Sequence, residues 1–221
     1  MSTLTNVTPK RGEEPPPSTR LIPCAPSRTT HDGVSVGYTP DPSKKWYVMR
    51  ATYHRERKAY YYLVSKGVEA YLPLHYKSKI VKGKRRVVSE SLLPNLLFVY
   101  TTPEVIKTYS KNHSHLTFLN HYYDHFHKSE DGSNPPLVVP YEAMMNFIRI
   151  TSVPSEHVKV VNPEACHYKS GDLVKVIDGA FKGVVGKVAR VAGQQRVVVE
   201  VEGVCLVSTA YVPTGLLEKI K

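Results

Sequence analysis

Five histidines fall within one short stretch: His113, His115, His121, His125 and His127. Imidazole ligates metals and moves protons near neutral pH, so this is where the chain could do chemistry. His121 and His125 have the i,i+4 spacing of one helical face, and His125 and His127 suit one face of a strand. A zinc enzyme needs more than that. There is no H-E-x-x-H and no nearby acidic ligand set beyond Asp124. Nucleophilic machinery is missing too: no G-x-S-x-G occurs, and Cys24, Cys166 and Cys205 are odd in number and widely spaced, with no C-x-x-C. The histidines therefore read as surface or core residues. We expect no enzyme, no metal and no cofactor, with a metal-dependent enzyme built on this histidine cluster as the rival that metal analysis would test.

Charge carries the stronger signal. The net charge is +11, and residues 44–90 hold thirteen basic and three acidic residues, ten units of that excess. So concentrated a positive field favours a polyanion, most often nucleic acid; the alternative is a solvated basic hairpin with no dedicated partner. Hydrophobic residues make up 41% of the chain, enough for real cores, yet no apolar run approaches a membrane span. The N-terminus lacks a signal-peptide core. Cytoplasmic location, no membrane and a monomer are the expectations.

The elements that must position these groups divide the chain. Residues 1–43, with Pro15-Pro16-Pro17 and few large apolar side chains, read as a disordered leader. Lys45–Ala51 is strand-like, Arg55–Lys66 helical with Ala59 and Leu63 facing a sheet, and Val68–Leu72 a strand stopped by Pro73. A long hairpin follows with Lys82-Gly83-Lys84-Arg85-Arg86 at its tip. Leu96–Tyr100 is an unbroken apolar run suited to a buried strand. Thr102-Pro103-Glu104 starts a helix running to about Ser110. Leu116–Tyr123 reads as a strand, 125–136 as a polar loop, and Pro140 opens a helix with Tyr141, Met144, Phe147 and Ile148 on one face. This order predicts an α+β domain over 44–150, a sheet with helices packed on it. A proline-bearing linker covers 151–166, and a Val-rich all-β domain covers 167–221, with turns at Gln194-Gln195 and Glu202-Gly203.

Within that last segment, residues 174–188 read V-x-V-x-x-G-x-F-x-G-x-x-G-x-V, with Gly179, Phe181, Gly183 and Gly186 at the turn. The spacing is wrong for a dinucleotide fingerprint, and a strand follows where a helix would be needed. The pattern resembles the KOW motif of small SH3-like barrels, with Phe181 folding back as a plug. Such barrels bind macromolecules. Together with Trp46-Tyr47-Val48 and Leu93-Pro94-Asn95-Leu96-Leu97-Phe98-Val99, the chain from about residue 45 to 221 resembles the NusG family of transcription elongation factors. Val81–Glu90 and Thr102–Thr108 are similar to the specialised paralogue RfaH. Cys166–Asp172 and Asn134–Leu137 are similar to UpxY proteins, antiterminators of capsular polysaccharide operons.

The resemblance implies an operon-specific antitermination or elongation factor that suppresses pausing without chemistry. It implies that Leu93, Leu96 and Phe98 form an exposed apolar patch for the β′ clamp helices of RNA polymerase, and that Lys107, Thr108 and Tyr109 meet the β subunit. It implies contact with non-template DNA or nascent RNA through Arg55, Lys58, Tyr61, Tyr62 and Lys66 on the first helix and Lys111, Asn112, Ser114 and His115 after the second. Single strands are held by such mixtures of cations and aromatic rings. The barrel would take the ribosome or Rho. The rival is an RNA-binding or ribosome-associated KOW protein, which explains the charge and the barrel but not the W-Y-V and P-N strands.

Overall fold

The computed structural model describes residues 38–81, 83–110 and 113–220. Most of the expected leader, the tip residue Lys82, and Lys111 and Asn112 lie outside the described residues. Ordered contacts begin earlier than residue 44. The Tyr38 ring meets Trp46 edge-on at 4.8 Å, its hydroxyl donates to the Ala70 carbonyl at 2.9 Å, and the Asp41 amide donates to the Tyr100 hydroxyl at 2.8 Å. An aromatic ring that finds a buried tryptophan gains enough contact to order the few residues around it.

The first domain is an antiparallel sheet of β1 (Lys45–Ala51), β2 (Glu69–Tyr71), β5 (Leu96–Thr101), β6 (Leu119–His121) and β7 (Val138–Val139). The order is β2-β5-β1-β6, and β7 pairs with the other end of β1. Alternation along the two central strands divides the core. Tyr47, Met49, Leu97 and Val99 pack under α1 (Glu56–Ser65) and α2 (Pro103–Tyr109), meeting Ala59, Leu63 and Ile106. Trp46, Val48, Phe98 and Tyr100 point to the opposite face, toward α3 (Tyr141–Thr151) and its Met144, Phe147 and Ile148. The unbroken apolar runs in β1 and β5 follow from this burial on both faces. α2 begins as expected, with the Thr102 hydroxyl accepting from the Val105 amide and proline at its first position.

The basic hairpin is β3 (Leu74–Val81) with β4 (Lys84–Ser91), a two-stranded sheet of its own. Its root is tied to α1. Arg57 Nη2 donates to the Ser89 carbonyl at 2.7 Å, and the Ser91 hydroxyl donates to Glu56 Oε1 at 2.6 Å. The segment from Leu116 is not strand throughout. The Leu116 amide donates to His113 and the Leu119 amide to Leu116, two consecutive turns that leave only Leu119–His121 to pair with β1.

The C-terminal sheet runs β13 (Leu217–Lys219), β9 (His167–Val176), β10 (Val185–Val191), β11 (Gln194–Val201), β12 (Cys205–Tyr211), β8 (Lys159–Val161). β8 lies inside the segment expected to be a linker, and its Leu206↔Val161 register adds it to the edge of β12. The buried Arg196 fastens the same segment by donating to the His157 carbonyl at 3.0 Å and to the Thr209 carbonyl at 3.0 Å. Gln194 and Gln195 lie within β11; the turn is Ala192-Gly193, both at positive φ (49° and 78°), the two-residue loop that matches strand twist. Phe181 is buried, as a plug must be, and Gly179 (φ 83°) and Gly183 (φ 84°) make the left-handed bends beside it.

The barrel does not stand apart. Barrel residues Val197, Val199, Val207 and Val212 belong to the same apolar cluster as Trp46, Phe98 and Phe147. α3 is the middle layer, touching β1 on one side and β11 and β12 on the other.

Candidate functional site

Two surfaces collect the residues singled out by sequence. The first lies along α1. Its cap residues Arg55 and Lys66 and its exposed Lys58 and Tyr61 share the helix with the half-buried Tyr62. The turn after α2 brings His113 and His115 to it: the Tyr62 ring stacks on His115 at 5.4 Å and 29°, and meets His113 edge-on at 5.3 Å. Lys66 Nζ stands 5.7 Å from the Tyr62 ring centre. Ser114 and His115 are exposed beside them. The fold thus joins two sequence-distant segments into one aromatic and cationic surface. Arg55 is more constrained than its neighbours. Its guanidinium carbon sits 4.1 Å from the Phe118 ring centre and its Nε donates to the Thr52 carbonyl at 3.2 Å, so it both supports the helix start and adds charge.

The hairpin supplies more charge at its far end. Lys84, Arg85 and Arg86 are exposed, whereas Lys77 and Lys79 nearer the root both pair with Glu90. The Lys79 ammonium holds the Glu90 carboxyl below its usual range. Burial lowers His75 at the hairpin root, with Lys77 adding to the effect, which favours the neutral ring there.

The second surface is the β5 face. Leu93, Leu96 and Phe98 come together as expected, but they are not an open patch. Leu93 is buried, Leu96 half-buried, and Phe98 has no exposed surface. The reason is α3: the Phe147 ring lies 5.3 Å from Phe98, and the barrel covers the outside of that helix. Asn146 clasps the barrel, its Oδ1 accepting from the Val185 amide at 2.8 Å while its side-chain amide donates to the Val185 carbonyl. The barrel loop at Gly203 sits against Leu137. A cleft of about 830 Å³ remains at the junction, with Leu93, Tyr122 and Phe126 on one side and Val160, Tyr168 and Cys205 on the other. Lys107 and Thr108 are exposed on α2 and Tyr109 half-buried, on the opposite face of the sheet from Phe98.

The remaining histidines take separate local roles. His127 Nδ1 is 2.9 Å from Asp124 Oδ2, and the Asp124 carboxylate also accepts the Phe126 amide. His125 Nδ1 faces the Asn134 side chain at 3.4 Å, and the His121 ring lies against Tyr47. Among the described residues no three His, Cys, Asp or Glu side chains gather as a metal-holding group. Burial pushes the Cys205 thiol up to about 12 and also raises Cys166, so neither offers a thiolate nucleophile at neutral pH. No helix among the described residues is long and apolar enough to cross a membrane.

Residues 44–126 match the model of the NusG family, described as transcription termination factor nusG. That span runs from β1 through α1, the hairpin, β5 and α2 to the His125 loop. Over a longer stretch the chain aligns with a solved structure described as domain interaction in Thermotoga maritima NusG. The identity is 18%, with 80% of this chain and 98% of that chain covered, and the TM-score is 0.36.

Proposed function

We propose that this chain is a transcription elongation or antitermination factor that binds RNA polymerase and suppresses pausing or termination on a particular operon, one for capsular polysaccharide. The match of residues 44–126 to the NusG family carries the reading. The structure adds a physical means. A factor of this kind needs no reaction centre. It must only bind the elongating form of polymerase better than the paused form. Two surfaces on opposite sides of one sheet, the β5 face and the exposed side of α2, are suited to bridging two parts of a large enzyme, the β′ clamp helices and the β subunit. The α1 surface, with Lys58, Tyr61, Tyr62, Lys66, Ser114 and His115, would hold exposed non-template DNA or nascent RNA.

The covered β5 face sets a condition. Polymerase reaches Leu93 and the outer side of α3 only when the barrel moves away, so apparent affinity is reduced by the fraction of molecules that are open. Once released, the barrel is available to the ribosome or Rho. The test is a purified transcription system: the full chain should elute with elongation complexes and shorten pauses. Ribosome association without polymerase binding would replace this reading with the translational one.

A further inference from the structure

The turn between β1 and α1 holds the only two consecutive non-glycine residues at positive φ among the described residues. Tyr53 has φ 59° and ψ 41°, and His54 has φ 53°. Bulky residues rarely enter this left-handed region, and they stay there only when their surroundings over-determine them. The surroundings here do so. Asn95, itself at φ 66°, accepts the His54 amide on Oδ1 at 2.8 Å and the Ala51 amide on its carbonyl at 2.8 Å. The Phe118 carbonyl accepts the Thr52 amide at 3.0 Å, and Arg55 Nε closes on the Thr52 carbonyl at 3.2 Å.

This framework displays a tyrosine ring that is 85% exposed. A ring held for packing would be buried; this one is held out into solvent. The Arg55 guanidinium carbon lies 5.4 Å from the Tyr53 ring centre and 4.1 Å from that of Phe118, and Lys58 Nζ lies 5.8 Å from Phe118. Residues 50–55, Arg-Ala-Thr-Tyr-His-Arg, contain two arginines, a histidine and no carboxylate. Protein interfaces favour tyrosine and arginine but are depleted in lysine, and Lys58 stands beside this group. An exposed ring among cations instead suits a ligand that is both planar and anionic.

We propose that Tyr53 is a preformed stacking platform for one unpaired base of a nucleic-acid strand, whose phosphates lie on Lys58 and the other cations of α1. The proposal rests on the nucleic-acid reading above and extends the surface beyond the helix to a strained residue whose side chain stays exposed. Because the ring is already in place, binding does not require the turn to order.

Tyr53→Gly is the discriminating variant, since glycine adopts this backbone without strain while removing the ring. The full chain is titrated into a mixed-sequence single-stranded DNA of about twelve nucleotides, and into RNA of the same sequence, by fluorescence anisotropy. We expect Tyr53→Gly to lose about tenfold in affinity and Tyr53→Phe to stay within about twofold, with the salt dependence unchanged because no phosphate contact is removed. An oligonucleotide lacking its bases should bind wild type and Tyr53→Gly equally. Loss in only one of the two arms would identify the strand as DNA or RNA. Wild-type affinity in a folded Tyr53→Gly variant overturns the platform and leaves the nucleic-acid reading in place. Failure of the wild-type chain to bind any oligonucleotide overturns both.

Discussion

Asn146 on α3 holds the Val185 backbone of the barrel at two points, taking its amide at 2.8 Å and giving a hydrogen bond to its carbonyl. An amide side chain matched to a peptide unit in this way fixes the position of the barrel as well as its attachment. Asn146→Asp keeps the size and removes the donor, setting a carboxylate against a carbonyl. Leaving a partly buried polar group unmatched costs about 1–3 kcal/mol. The variant should populate the open arrangement, seen as a larger radius of gyration in small-angle scattering and faster proteolysis within 151–158. Scattering and proteolysis identical to wild type would show that Asn146 is not the clasp.

Gly186 tests the barrel itself. A Cβ there would lie 2.4 Å from the Val198 carbonyl oxygen, which belongs to a paired strand and cannot turn aside. Gly186→Ala should cost about 1–3 kcal/mol by overpacking. Ala192→Gly should have the opposite sign, since residue 192 sits at φ 49° with an alanine in place. Thermal unfolding monitored by circular dichroism checks both, and an unperturbed Gly186→Ala barrel would contradict the close approach.

Gly186 and Ala192 show how unevenly the fold could be read. The buried runs of β1 and β5, the Thr102-Pro103 helix start and the glycines around Phe181 carry local signals, because their chemistry is set by neighbours in sequence. β7 is two residues long and has no pattern to recognise. β8 looks like linker because Lys159-Val160-Val161 gains its identity only from the β12 edge it pairs with. The α1 surface was legible as residue types, and its stacking of Tyr62 on His115 was not, since those residues lie on different elements. The Tyr53-His54 turn was invisible for a physical reason. Nothing in Thr-Tyr-His favours positive φ; the conformation is imposed by Asn95 and Phe118 from distant segments. Burial of Phe98 likewise depends on α3 and on the barrel covering it.

Phosphate contacts should be visible in the salt dependence of binding. Replacing Lys58 and Lys66 together by glutamine leaves the Arg55 anchor on Thr52 intact and removes two exposed cations. The slope of log affinity against log salt should then fall by about 1.4 for a single strand. Fluorescence anisotropy across a salt series measures it, and an unchanged slope would move the phosphates to the hairpin tip at Lys84, Arg85 and Arg86.

The Asp124–His127 pair gives a pH prediction. The Asp124 carboxylate raises His127 above its ordinary 6.5, and the Phe126 amide, followed by His127, lowers Asp124 below its ordinary 3.8. A raised histidine contributes stability that is full below its unfolded value and is lost as pH rises through the folded one. A lowered aspartate contributes stability present above its unfolded value and lost as pH falls through the folded one. The loop around Asp124 should therefore be held best between the ordinary values of the two groups, 3.8 and 6.5. Titration of His127 by NMR should show a midpoint above 6.5, and Asp124→Asn should return it toward that value. A wild-type midpoint at or below the ordinary value would contradict the pairing.

The central claim is that the NusG-type domain acts on elongating polymerase and that the barrel controls access to it. The most direct measurement is pause lifetime on a single template with purified polymerase, comparing no factor, the wild-type chain and Asn146→Asp at equal concentrations. The account predicts shorter pauses with the wild-type chain and a further shortening, at lower protein concentration, with the opened variant. Pause lifetimes unchanged by both proteins, each shown to be folded, would contradict it.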